Sequence, residues 1–167
     1  MSHTIPPASW QLNAADPSAL TRVLGLPEFV VTRLEYDDRR DWLVVRCEPV
    51  RDVAVCPHCG TLSAQLHQHK PRTVRDLSLA GYACRLEFPG RRFTCRPCRR
   101  PFTEGLEAVA PQARYTRRYG QQLFAQCRGS SIQEVARRER LGYKAVEGLY
   151  YRLAAQQERT GDRKSVV

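Results

Sequence analysis

"FTCRPCRRPF", residues 93–102, sets Cys95 and Cys98 two residues apart among arginines. A matching turn stands earlier, Cys56-Pro57-His58-Cys59-Gly60. Each is a C-x-x-C with a proline inside. That spacing lets two sulfurs of one tight turn point at one ion, and two such turns complete a tetrahedron of thiolates around zinc. The 35 residues between the pairs exceed the commonest finger spacing. Their strand-like pattern predicts a hairpin that returns the second pair to the first, as in a zinc ribbon. Four thiolates and one dication leave a net anion, which Arg96, Arg99 and Arg100 offset while favouring the deprotonated sulfurs. The same arginines could face phosphate.

Two alternatives stay open for this motif. Buried free thiols are one. An iron site of the rubredoxin type is the other, although such carriers are usually acidic; a visible absorption band separates iron from zinc. His67 and His69, in "HQH", sit in what reads as a polar loop and could add ligands. Cys47, Cys84 and Cys127 fall inside apolar patterns and read as core packing.

The 167-residue chain has a net charge of +10 and a pI of about 9.7. That balance favours a polyanionic partner, nucleic acid before an acidic membrane surface. No apolar run approaches the ~18 residues of a membrane span, and the opening residues have no signal-peptide pattern. A reducing, cytoplasmic location is expected, which turns seven cysteines away from a disulfide framework and toward metal.

Residues 1–18 lack periodicity and read as a disordered lead. "FVVTRLEYDDRRDWLVV" reads as two strands joined by a loop at "DDRRD". Tyr82, Cys84, Leu86 and Phe88 alternate as a strand, and Pro89-Gly90 is expected to turn the chain. Helical spacing begins after Thr116, an expected N-cap, with Tyr119, Leu123, Phe124 and Cys127 on one face and Gly129 as the stop. Ser131 and Glu134 form a capping-box pattern. A break at Arg140-Leu141-Gly142 precedes a last helix with Val146, Leu149, Tyr150 and Leu153 on its apolar side.

The last two helices fit a helix-turn-helix. Tyr143, Lys144, Glu147 and Tyr151 project from the apolar face and are the expected groove residues. Arg137, Arg138 and Arg140 would flank the groove on phosphate. Arg91, Arg92, Arg117 and Arg118 join Arg96, Arg99 and Arg100 as further DNA-contact candidates. The bland reading is a helical hairpin with a solvated basic face. Arg140 departs from the usual pattern by standing where a glycine commonly takes a positive φ.

The resulting fold class is α+β: a β-rich zinc-ribbon-like module over 19–110, then a helix-turn-helix module over 111–157 and a tail over 158–167. With both modules in order, "VRDLSLAGYACRLEFPGRRFTCRPCRRPFTE" and its neighbours resemble the N-terminal region of bacterial insertion-sequence transposases of the ISL-three type, over roughly 24–156. The resemblance implies that Cys56, Cys59, Cys95 and Cys98 hold zinc. It also implies that the helical region binds double-stranded DNA at the element's terminal inverted repeats, with homo-oligomers a property of full-length forms. Members of this family continue into a domain with three metal-binding catalytic carboxylates. Asp76, Glu104 and Glu107 give no reason to be read as that set, so a truncated, non-catalytic DNA-binding part is expected. A free-standing zinc-containing regulator is the alternative. The closing "DRKSVV" (162–167) is what GATCGGAAGAGCGTCGTG encodes, the start of a common sequencing-library adapter. It is expected to be foreign and is set aside.

Overall fold

The computed structural model describes residues 11–12 and 17–162. They divide into two compact units between Thr116 and Arg117. The first is built on a mixed sheet of order β1-β2-β3-β7-β6, with β8 added to β7. Its elements are β1 (Gln11–Leu12), α1 (Pro17–Leu24), β2 (Phe29–Asp37), β3 (Trp42–Pro49), β4 (Ala54–Val55), β5 (Leu62–Ser63), β6 (Leu66–Leu79), β7 (Tyr82–Thr94) and β8 (Pro101–Thr103). The lead expected to be disordered therefore contains structure. Gln11 and Leu12 pair with Glu35 and Leu34, and α1 begins at Pro17. A two-residue strand shows no periodicity of its own and takes its register from the edge of β2. The rest of that stretch, 1–10 and 13–16, lies outside the described residues.

β2 and β3 form the expected antiparallel hairpin around 38–41. Alternation, reset by a register shift between Val31 and Arg33, buries Phe29, Val31, Leu34, Leu43, Val45 and Cys47. Cys84, Leu86, Phe88 and Val74 from β7 and β6 complete that core, with Leu24, Leu26, Leu106 and Val109 closing over it. Cys47 and Cys84 are core residues, as their patterns suggest. Burial, with Cys84 the next cause, pushes the Cys47 thiol up to about 12.

The turn placed at Pro89-Gly90 is not there. β7 runs straight through both residues, and the chain reverses instead at Ala80-Gly81, both with positive φ, between Leu79 and its partner Tyr82. Two residues with φ above zero make the twist-matched hairpin turn. Pro89 falls in a gap along the outer edge of β7, between β3 (partnering Ala83–Glu87) and β8 (partnering Arg92–Thr94). A missing N–H on that side costs no ladder bond. Gly90 serves close approach: a Cβ there would strike the Arg72 side chain. The presumed loop holding His67 and His69 is likewise strand, the first part of β6.

The second unit contains α2 (Arg117–Gly129), α3 (Ile132–Arg138) and α4 (Tyr143–Asp162). Tyr119, Leu123, Phe124, Val135, Ala136, Val146 and Leu149 are its buried side chains. The Phe124 and Tyr150 rings stack at 5.2 Å. Ser131 caps α3 by accepting from the Glu134 N–H. The Glu134 carboxylate takes Arg137 instead of closing the box. The tail from 163 onward lies outside the described residues; Asp162 ends α4.

Candidate metal centre and nucleic-acid interface

Each cysteine pair sits at the tip of a short hairpin, the first between β4 and β5 and the second between β7 and β8. The two turns are closed alike. The Cys56 N–H donates to the Thr61 carbonyl at 2.9 Å, and the Cys95 N–H to the Arg100 carbonyl at 3.0 Å. They are tied together through Ser63, whose hydroxyl donates to the Thr94 carbonyl at 2.7 Å. Beneath them, Phe93 and Phe102, opposite each other across the ladder, stack at 5.9 Å and pack with Ala54, Cys56 and Cys95.

The four sulfurs of Cys56, Cys59, Cys95 and Cys98 lie within 4.8 Å of one another. Cys56 to Cys98 is 3.7 Å and Cys59 to Cys95 is 3.4 Å. A tetrahedron with Zn–S bonds of ~2.3 Å has edges of ~3.8 Å, so the cluster fits a four-thiolate zinc site. Hydrogen bonds from Thr61, side chain and backbone, draw the Cys59 thiol down to about 6. At Cys95 a backbone hydrogen bond from Cys98 lowers the thiol, but burial and the side-chain hydrogen bonds with Cys59, Cys98 and Cys56 together outweigh it and leave it up at about 12. A dication is what lets all four ionise together. Zinc held by these four sulfurs would supply a structural crosslink. No coordination position is left over for substrate when all four are sulfur.

His58 is exposed within its turn, and His67 and His69 are exposed on β6. None belongs to the sulfur cluster.

The basic candidates separate once placed. Arg91 is the correction. Its guanidinium is about one-tenth exposed and bound to both oxygens of Glu104, with Nε at 2.9 Å, while Nη2 also donates to the Arg51 carbonyl. It fastens β7 to the chain after β8 and has no free face for phosphate. Its strand-mates point the other way: Arg92 is exposed, as are Arg96, Arg99 and Arg100 at the knuckle.

In the helical unit, Arg117 is exposed and Arg118 half-buried. Arg137 pairs with Glu134, and Arg138 donates to Gln126 at 3.0 Å. Arg140 is in the left-handed region at φ 54°, the conformation anticipated for the turn. On α4, Tyr143 and Tyr151 are exposed, and Lys144 donates to Glu147 at 3.0 Å. The same carboxylate raises the Tyr143 hydroxyl through a hydrogen bond. Val146 and Leu149 lie fully buried on the opposite side. Tyr143, Lys144 and Tyr151 thus share an outward face.

Sequence reasoning missed Glu139. It ends α3, and its two oxygens accept from the Tyr119 hydroxyl and the Gln126 amide of α2, each at 3.0 Å. Nothing in the local sequence marks it, because both partners lie more than ten residues away.

Two family models match in tandem: the zinc-finger of transposase IS204/IS1001/IS1096/IS1165 over residues 52–98, and the helix-turn-helix domain of transposase family ISL3 over 104–154. A curated relative, the transposase for insertion sequence element IS1001 of Bordetella parapertussis, is 32% identical over 126 residues, which is 75% of this chain and 31% of that protein. The chain thus spans under a third of that relative's length. No solved structure matches. Among the described residues no helix is long and apolar enough to cross a membrane.

Proposed function

As the chain belongs to the ISL3-type transposases through their zinc-ribbon and helix-turn-helix domains, we propose that it is a zinc-dependent DNA-recognition part of such an enzyme and reads the element's terminal inverted repeats. The observation carrying this is the outward face of α4. Tyr143, Lys144 and Tyr151 stand clear of a helix whose other side is locked by Val146 and Leu149. A helix so held can enter a major groove and present those side chains to base edges.

In this reading the span contributes recognition and no catalytic carboxylate. Asp76 is buried and accepts from the Thr116 hydroxyl at 2.6 Å, and Glu104 is committed to Arg91. The test is a salt-titrated binding assay on inverted-repeat and scrambled duplexes. Lys144→Ala should flatten the preference between them by roughly 1–3 kcal/mol and leave non-specific binding nearly intact. A zinc-loaded protein that cannot distinguish the duplexes at any salt concentration would remove end recognition from this span.

A further inference from the structure

Charge in the first unit is segregated. No aspartate or glutamate occurs between Asp52 and Asp76, or between Glu87 and Glu104. Those two stretches are the zinc knuckles together with the paired strand segments leading to them, Leu66–Arg72 of β6 and Phe88–Thr94 of β7. Elsewhere on the sheet Arg33 and Arg46 are matched to Glu35 and Arg40 to Asp37, and Arg85 stacks on the Trp42 ring at 3.8 Å. Here Lys70, Arg92, Arg96 and Arg99 are exposed, and among the described residues none has a carboxylate partner.

Position adds to charge. β6 is the terminal strand of the sheet, and every residue from Leu66 to Pro71 is exposed. Lys70 and Pro71 sit on that free edge, and both residue types discourage another strand from adding there. The edge is therefore unsuited to capturing a peptide strand. Its side chains are what it presents: Gln68 and Lys70 alternate onto one face, with Arg92 opposite Gln68 across the ladder on that same face, whereas His69 pairs with Arg91 and lies on the other.

We propose that this acid-free face, Gln68 and Lys70 of β6 with Arg92 of β7 and Arg96 of the knuckle, is a second duplex-DNA contact surface that holds phosphates independently of α4. The inference rests on the reading of the chain as a DNA-recognition unit and adds a site to it. Exposed cations without carboxylate partners take phosphate oxygens and displace the duplex's counterions.

The experiment uses the full zinc-loaded chain on an inverted-repeat duplex and a scrambled duplex of equal length. Lys70→Ala/Arg92→Ala/Arg96→Ala should keep its zinc and its preference for the repeat. Its affinity for both duplexes should fall by a common factor, and the slope of log affinity against log salt should become about 3 units less steep. An unchanged slope with repeat preference intact overturns this surface and leaves the proposed function standing. Loss of repeat preference in the unaltered protein defeats the proposed function instead. A Gln set at the same three positions repeats the measurement if the Ala set fails to hold zinc. Hydroxyl-radical footprinting of the unaltered protein gives an independent readout. Protection should extend to phosphates beyond the groove segment covered by one helix, and protection confined to that segment overturns the proposal.

Discussion

Gly60 and Arg99 hold equivalent places, each directly after the second cysteine of its pair, with φ angles of 73° and 57°. The two knuckles are thus the same turn built twice, once with the residue that takes this conformation freely and once with one that does not. A left-handed residue other than glycine costs roughly 1–2 kcal/mol. Nothing lies within 4 Å of a Cβ added at Gly60, so Gly60→Ala should cost that backbone strain alone and keep zinc. Arg99→Gly should relieve the strain, offset in part by glycine's greater unfolded-state entropy. Its stability should stay within about 1 kcal/mol of the parent, while its DNA affinity drops. Thermal melting of the zinc-loaded variants checks both.

Removing the metal should undo the ribbon. Structural zinc contributes on the order of 10 kcal/mol to small finger folds. Cys95→Ser should therefore lose zinc and the first unit's fold, whereas Cys84→Ser, a core thiol, should keep one zinc per chain. Equal zinc content in the parent and Cys95→Ser would refute the ligand set.

Acid should release the zinc by protonating its sulfurs. The Thr61 hydrogen bonds favour the Cys59 thiolate over the thiol, and bound zinc favours it further, so protons compete for this sulfur only at lower pH than they would without those bonds. Thr61→Val should shift zinc release to higher pH. A chromophoric chelator titration reads the midpoint, and an unmoved midpoint would rule out this role for Thr61.

Arg91 and Arg92 are neighbours with opposite fates. Arg91→Ala leaves the Glu104 carboxylate buried without its partner, a change that costs about 3–5 kcal/mol. Arg92→Ala should leave the melting temperature unchanged and make the salt dependence of DNA binding about 1 unit less steep. If Arg91→Ala is as stable as Arg92→Ala, the buried ion pair is not holding β7 in place.

Glu139→Ala takes the acceptor from both Tyr119 and Gln126. Tyr119 is almost fully buried, and an unsatisfied buried donor costs about 1–3 kcal/mol. The helical unit should melt earlier, and repeat preference should weaken with no residue of the groove face altered. Tyr119→Phe, which removes the donor as well, should cost less than Glu139→Ala.

The sequence by itself determined what depends on short spacing. Two C-x-x-C turns single out four candidate ligands because a tight turn must bring its own two sulfurs together, and the fold gathers all four. The break before Tyr143 and the Ser131 cap are set by neighbours three or four residues away. The loop between β2 and β3 was legible for the same reason, whereas Thr116, expected to cap α2, gives its hydroxyl to Asp76, forty residues away. Tertiary structure decided whatever depends on distant partners. Pro89-Gly90 carries a turn signature, yet pairing with Lys70 and Pro71 on β6 keeps it extended. The parallel pairing of β3 with β7 joins segments about forty residues apart, which no local pattern announces. Arg91 and Arg92 look alike in sequence, but adjacent residues of a strand point to opposite faces, and only the folded sheet shows that Glu104 waits on one face and water on the other.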